Sequence, residues 1–158
     1  MFFVFFRLLG VTLRIILCIY NKIKNEPSVN YHNNKQNIEM ETVNNLVNSI
    51  TKGIQEKKGK SITILDLKNI DGAVTNYFVI CQGGSPSQVE AIATSVEDTV
   101  RETLKEKPVK VIGVGSNQWV AMDYVDVMVH IFLPETRDYY NLENLWQDAQ
   151  QTDIPDID

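Results

Sequence analysis

The sequence predicts an α/β domain in which a mixed β-sheet is flanked by helices. Residues 41–58 and 86–104 have apolar side chains at helical spacing. The runs between and after them are rich in β-branched and aromatic residues, which is typical of strands. The long helical segment between the second and third strands predicts a right-handed crossover that leaves those two strands parallel, so the sheet should be mixed.

The first elements follow from local patterns. In residues 41–58 the apolar side chains form one buried stripe, and Gly59 is a typical helix stop. Residues 61–67 then predict the first strand. Turn-forming residues lead to a second strand over residues 74–82. The stripe of the first helix consists of Val43, Leu46, Val47, Ile50 and Ile54.

A glycine-serine turn at residues 83–87 begins the second helix. Ser85 has the side chain of a helix cap, and Pro86 occupies the first helical position. The helical pattern continues to Leu104. A short third strand is predicted after it, over residues 109–114.

Residues 119–124 and 127–133 predict two consecutive strands joined by a tight turn or bulge. Both faces of the second run are largely apolar, so it should be a central strand covered on both sides. A strand that only fills a core needs neither the imidazole of His130 nor the carboxylates of Asp123 and Asp126. These two strands are therefore the candidate functional site.

The C-terminal part predicts one helix over residues 134–150, followed by an acidic tail at residues 151–158 that should be loose. The folded domain is expected to span residues 40–150. The inner stripe of the last helix is predicted to consist of Tyr139, Leu142, Leu145 and Trp146.

Residues 1–39 combine an apolar stretch with a polar linker. Residues 1–20 resemble a membrane helix, but Arg7 and Arg14 interrupt them. The linker is rich in Asn and Lys and has no periodicity, as in a disordered extension. Our interpretation is that translation truly starts at Met40 and that residues 1–39 are rarely or never made. A membrane anchor in this segment is the alternative, and no membrane contact is expected for the folded domain.

Charge favours a protein partner over nucleic acid. The chain has 15 Lys and Arg against 20 Asp and Glu. Residues 1–39 contain 5 of the basic and 2 of the acidic side chains, which leaves 10 and 18, a net charge of −8, for the remainder. Little direct nucleic-acid binding is expected, because that affinity comes from Lys and Arg that neutralise phosphates. An acidic domain suits a basic protein partner.

The two cysteines, Cys18 and Cys81, lie in segments of different character. No disulfide framework is predicted, and Cys81 is expected to pack as a small apolar side chain in a reducing compartment. The expected location is the cytoplasm.

A nucleotidyltransferase-type enzyme is the alternative function. The turn at residues 83–87 is able to bind the phosphates of a magnesium nucleotide, and Asp123 with Asp126 would hold the metal. The spacing is unfavourable, since residues three apart on a strand point to opposite faces. No His or Cys lies at metal-ligating spacing from His130. We therefore predict no metal site, and we expect His130 to be a hydrogen-bonded imidazole with an aspartate as its partner.

A series of motifs occurs along the chain in this order: Gly59-Lys60, residues 65–67, 75–81, 83–87, 118–120, 123–132 and 137–146. Their order and intervals resemble the ribosomal silencing factor family, also called Iojap-like, over about residues 40–149. The resemblance implies a nucleotidyltransferase-like fold without the catalytic acids, and neither enzymatic activity nor a cofactor. The family often has Asp where Asn76 stands, Glu near Ile112 and Gly at Val125, so the turn between the two strands is expected to differ.

The resemblance also implies a function. Members bind the large ribosomal subunit through its fourteenth protein and block joining of the small subunit, which represses translation. A homodimer is left open. Trp119 and Tyr124 are the candidate interface anchors, because aromatic side chains bury large rigid area; a core position for Trp119 is the alternative. The full set of partner-binding candidates is Trp119, Val120, Asp123, Tyr124, Asp126, His130, Thr75, Asn76 and Ser85.

Overall fold

The computed structural model describes residues 34–157 of the chain, and our interpretations of residues 1–33 lie outside these described residues. Residues from Gln36 onwards form one compact unit. The helices and strands of the described residues are α1 (Asn34–Glu56), β1 (Lys60–Asp66), β2 (Tyr77–Gln82), α2 (Pro86–Leu104), β3 (Lys110–Ile112), β4 (Trp119–Asp123), β5 (Val127–Phe132), α3 (Pro134–Tyr140), α4 (Leu142–Leu145) and β6 (Gln150–Ile154).

The six strands form one mixed sheet in the order β3-β4-β5-β2-β1-β6. Strands β2 and β5 are parallel, with Tyr77 beside Val127 and Gln82 beside Phe132. The other four neighbouring pairs are antiparallel. The predicted fold class, a mixed sheet with flanking helices, is confirmed. Strands β2 and β3 run in the same direction as predicted, but β4 and β5 lie between them.

Helices α1 and α2 pack on one face of the sheet. The predicted stripe of α1 lies in the main core, with Ile50 and Ile54 fully buried against residues of α2. The helices approach closely at Gly53, where a Cβ would stand 2.8 Å from the Cα of Val96. Helix α1 begins seven residues before the predicted start at residue 41. Its first described side chains, Glu39 to Thr42, are exposed.

All six residues of β5 are buried, which confirms the central strand covered on both sides. Val127, Val129 and Ile131 belong to the core under the helices. Met128, His130 and Phe132 alternate with them and therefore point to the opposite face. That second face carries the aromatic contacts to α3 and to the residues around α4.

The prediction of one helix over residues 134–150 is wrong. Asn141 adopts a left-handed conformation at φ 42°, which ends α3, and its side chain accepts a hydrogen bond from the N–H of Asn144 at the start of α4. Asparagine tolerates this conformation better than most residues. The break changes the direction of the helix face. Tyr139 and Leu145 are consequently exposed instead of lining an inner stripe, whereas Leu142 is buried.

The predicted loose tail is also wrong, because β6 extends the sheet as an antiparallel neighbour of β1. The hydroxyl of Thr63 donates to the carboxylate of Asp153 at 2.9 Å. The main-chain N–H of Ser61 donates to Asp156 at 2.7 Å. Acidic side chains at this end of the chain thus hold β6 against β1.

Two further predictions concern Cys81 and a membrane-spanning helix. Cys81 is a free thiol with no exposed surface, and burial raises its pKa to about 12. This confirms that it packs as a small apolar side chain. In residues 34–157, none of the helices is long and apolar enough to span a membrane.

Candidate functional site

The nine predicted partner-binding residues do not form one cluster. Trp119 pairs with Phe132 at the carboxyl end of β5, and the turn that contains Ser85 follows the carboxyl end of β2. Asp123 pairs with Met128 at the other end of the same hairpin. The length of β4 separates Trp119 from Asp123 by about 13 Å, at about 3.3 Å per residue. The candidate site therefore has two ends. The aromatic end lies at Trp119, and the turn end lies at the hairpin turn between Asp123 and Asp126.

Trp119 dominates the aromatic end. Its ring stacks on Phe132 with centroids 4.9 Å apart, and it contacts Tyr140 of α3 at 4.8 Å. It is neither fully buried nor fully exposed. One surface of the indole thus packs on the sheet, and the remainder is accessible to solvent.

His130 lies beneath the aromatic end. It is only 4% exposed, so it cannot touch a partner directly. The expected hydrogen bond to an aspartate is not formed. Instead, Nδ1 accepts the indole N–H of Trp119 at 3.2 Å. Burial lowers the pKa of His130 to about 3, so the imidazole is neutral and its proton lies on Nε2, which has no hydrogen-bond partner among the described residues.

Val120 and Tyr124 are corrected from partner contacts to core residues. Val120 is fully buried and Tyr124 is 5% exposed, and both belong to the core under the helices. Adjacent strand residues point to opposite faces, so Val120 faces the helices when Trp119 faces away from them. Burial, with the charges of Glu97 and Glu106, raises the pKa of Tyr124. Tyr124 is therefore not an interface anchor.

At the turn end, side chains tie two loops together. Asn76 donates from Nδ2 to the carboxylate of Asp126 at 2.8 Å. The hydroxyl of Thr75, itself nearly buried, donates to the carbonyl of Val125 at 3.1 Å. The carboxylate of Asp123 accepts the N–H of Val125 at 2.8 Å. Asp126 is the exposed member of this group, so it is the candidate best placed to meet a partner.

The turn itself is strained at Val125. The N–H of Asp126 donates to the carbonyl of Tyr124 at 3.0 Å, which closes a three-residue turn around Val125 at φ 74°. A positive φ of this size corresponds to the rare γ-turn, and it is unfavourable for a β-branched side chain. Val125 is 64% exposed and gains little burial in return.

The main-chain N–H groups of both glycines in the glycine-serine turn are occupied. Ser85 caps α2 by accepting the N–H of Gln88 at 3.2 Å, as predicted. The side chain of Gln88 in turn accepts the N–H of Gly84 at 2.8 Å. The N–H of Gly83 donates to the carbonyl of Phe132 at 2.9 Å. These two main-chain donors are therefore not free to bind a phosphate.

The enzyme alternative also requires the carboxylates to lie near this turn. Asp123 and Asp126 instead lie at the amino ends of β2 and β5, whereas the turn follows their carboxyl ends. Both carboxylates bind groups of the hairpin turn or its neighbour Asn76. Among the described residues, no three His, Cys, Asp or Glu side chains are grouped so that they could hold a metal ion. The residues of the enzyme alternative are therefore not brought together.

Two residues of the site were missed by the sequence analysis. Tyr140 contacts the ring of Trp119, and Arg137 fastens α3 to the sheet through the carbonyl of Ser61 at 2.7 Å. Arg137 also pairs with Glu143 at 2.6 Å. The spacing of three between Arg137 and Tyr140 places them on one helix face, and this was the signal available in the sequence.

The fold is an α/β domain. Its candidate site has a partly exposed aromatic side chain and a few carboxylates. Residues 40–158 match the family described as "Ribosomal silencing factor during starvation". The chain belongs to this family.

Individual relatives agree with this assignment. The ribosomal silencing factor of Bacillus subtilis is 41% identical over 100 residues, which is 63% of this chain and 82% of the relative. A crystal structure of a Chromobacterium violaceum protein superimposes with a TM-score of 0.63 at 33% identity, covering 66% of this chain and 85% of that one. A mouse protein named "Mitochondrial assembly of ribosomal large subunit protein 1" is 32% identical over 74 residues, 46% of this chain and 32% of the relative.

Proposed function

We propose that this protein represses translation in the cytoplasm by binding the large ribosomal subunit through its fourteenth protein. The bound domain occupies a surface that the small subunit needs, so the two subunits fail to join. The family match over residues 40–158 carries this proposal. Steric occlusion requires binding alone and no catalytic residues.

The aromatic end supports the proposal as the anchor of the contact. A partly exposed tryptophan that stacks on a rigid sheet buries large area on binding and loses little side-chain entropy. Trp119 meets this description through its contacts with Phe132 and Tyr140.

The turn end supports the proposal through its negative charge. A standard interface buries about 800 Å² on each partner, a patch roughly 30 Å across. Both ends of β4, about 13 Å apart, fit inside one such patch. The exposed carboxylate of Asp126 then lies near the rim, where it attracts a basic protein.

The proposal is tested with purified large and small subunits. The protein should sediment with the large subunit alone and inhibit joining. Trp119→Ala should weaken binding to the purified fourteenth protein at least about thirty-fold, equivalent to about 2 kcal/mol or more. It should also lower the melting temperature, because the ring packs on Phe132.

Trp146→Ala is the matched control for that loss of stability. Trp146 is also partly buried, and it packs on Phe78 with centroids 5.7 Å apart. It should lower the melting temperature and leave binding intact. If both variants bind equally well, or if the wild-type protein sediments with neither subunit, the proposed contact is wrong.

A second pair of variants tests the charge. Asp126→Asn and Glu102→Gln each remove one exposed carboxylate, from the turn and from α2 respectively. Only Asp126→Asn should slow association and reduce its dependence on salt. Equal effects of the two variants would show that overall charge, and not the turn, guides the encounter.

A further inference from the structure

The hydrogen bond between Trp119 and His130 joins an accessible side chain to a buried one. The donor is the indole N–H, the acceptor is Nδ1, and the distance is 3.2 Å. The two residues lie on adjacent strands in diagonal positions, since Ala121 pairs with His130 and Trp119 pairs with Phe132. Diagonal neighbours on one face are within reach of long side chains.

The imidazole is itself held firmly. Its ring meets Phe78 edge to face with centroids 4.8 Å apart and lies nearly parallel to Phe132 at 6.1 Å. Burial keeps it neutral, so that Nδ1 is free to accept a proton donor. Trp119 therefore rests on Phe132, touches Tyr140 and has its N–H fixed by a rigid acceptor.

This arrangement is poor for stability alone. Nε2 of His130 is buried and has no hydrogen-bond partner among the described residues. A buried N–H without a partner is destabilising, and an apolar ring of the same shape would fill the position without that penalty. A histidine at this buried position is explained if the site requires a hydrogen-bond acceptor at Nδ1.

We propose that His130 is a positioning residue that orients the indole of Trp119 for partner binding. The inference rests on the proposed function in one respect, that Trp119 is the anchor. An indole that is already held in its bound orientation does not lose rotational freedom when the partner arrives, and this pre-organisation increases affinity. His130 thus acts on the interface without touching the partner.

The test uses the full chain with His130→Phe and His130→Gln. Phenylalanine keeps a ring and removes the acceptor, whereas the carbonyl of glutamine restores an acceptor. The order of the Trp119 indole is measured by its ¹⁵N–¹H relaxation and by solvent exchange of its N–H, with Trp146→Phe used to assign the two indole signals. These measurements need no partner. Binding is measured with the purified fourteenth protein of the large subunit.

His130→Phe should melt at the wild-type temperature or above, release the indole N–H to solvent and weaken binding about three- to ten-fold, the range of one net hydrogen bond. His130→Gln should lie between wild type and His130→Phe in indole order and in affinity. In a Trp119→Ala background, His130→Phe should have no further effect on binding, because His130 acts through the indole.

The inference is overturned if the indole of His130→Phe stays as ordered and as protected as in the wild type. It is also overturned if His130→Phe weakens binding equally in the Trp119→Ala background. If His130→Phe does not fold, the same two criteria apply to His130→Gln. Wild-type affinity of Trp119→Ala would instead refute Trp119 as the anchor in the proposed function, while the indole measurements still decide whether His130 positions it.

Discussion

Val125 is the residue at which sequence and backbone conflict most clearly. Its φ of 74° is unfavourable for a β-branched side chain, and glycine adopts this region freely. We expect Val125→Gly to stabilise the fold by about 1 kcal/mol, the relief of left-handed strain less the added entropy of glycine in the unfolded chain. Urea unfolding measures this difference.

Val109→Gly is the control for that variant. Val109 is 61% exposed, close to the 64% of Val125, and it is not among the described residues with positive φ. Glycine there should be neutral or destabilising. A loss of stability in both variants would mean that the strain at Val125 is not significant.

His130 makes stability depend on pH. Its pKa is about 3 in the folded protein against 6.5 for an ordinary histidine, so below pH 6.5 the unfolded state binds a proton that the folded state does not. The contribution of the neutral, buried imidazole to the free energy of unfolding is complete above pH 6.5 and is lost as the pH falls towards 3. At pH 5 the loss should be about 2 kcal/mol.

His130→Gln isolates this effect, because the carboxylates titrate in both proteins and glutamine does not titrate. The difference in unfolding free energy between wild type and variant should change with pH between 6.5 and 5 and stay constant above 7. A constant difference throughout would mean that His130 is accessible to protons in the folded state.

The individual contacts of the site could be predicted only in part. The period of two is enough to separate Trp119 and Asp123 from Val120, although our list of partner-binding candidates combines all three. The hydrogen bond from Trp119 to His130 also depends on the register between β4 and β5, which the tight turn at Val125 sets. A slip of one residue would turn His130 to the helix face. The sequence leaves open whether a tight turn or a bulge joins the two strands, so it does not predict this register.

Strand β6 lies at the edge of the sheet, beside β1. Removing residues 150–158 should lower the free energy of unfolding by about 1–3 kcal/mol, because several ladder hydrogen bonds are lost while mostly exposed residues are released. Removing residues 157 and 158 alone should have no effect, since the hydrogen bonds of Asp153 and Asp156 remain. Equal denaturation midpoints for the full chain and the longer deletion would restore the idea of a loose tail.

The elements were predictable where a local signal ends them. Helix α2 begins where it was predicted to begin, because Ser85 and Pro86 provide cap chemistry that acts within a few residues. The single C-terminal helix was not predictable as two, since Asn141 breaks it without glycine or proline. The tail at residues 151–158 is too polar to suggest a strand, and its pairing partner β1 lies 90 residues away at the Thr63–Asp153 contact.

At the scale of the whole molecule, we expect residues 40–158 to fold and function without the preceding segment. Among the residues of α1 whose burial is described, every buried one lies in this fragment, since Glu39 to Thr42 are exposed. Its melting temperature should be close to that of the full chain, and it should complement loss of the gene. An insoluble or inactive fragment would show that residues 1–39 have a structural or anchoring role.

The position of β1 between β2 and β6 affects a nascent chain. At about 5 to 20 residues per second, the roughly 90 residues between Thr63 and Asp153 take about 5 to 20 s to synthesise. Until then β1 has one neighbour and presents an open edge, with unpaired main-chain groups that attract strands of other chains. Chaperones that cover extended segments during synthesis therefore have a defined target in this protein, Lys60–Asp66.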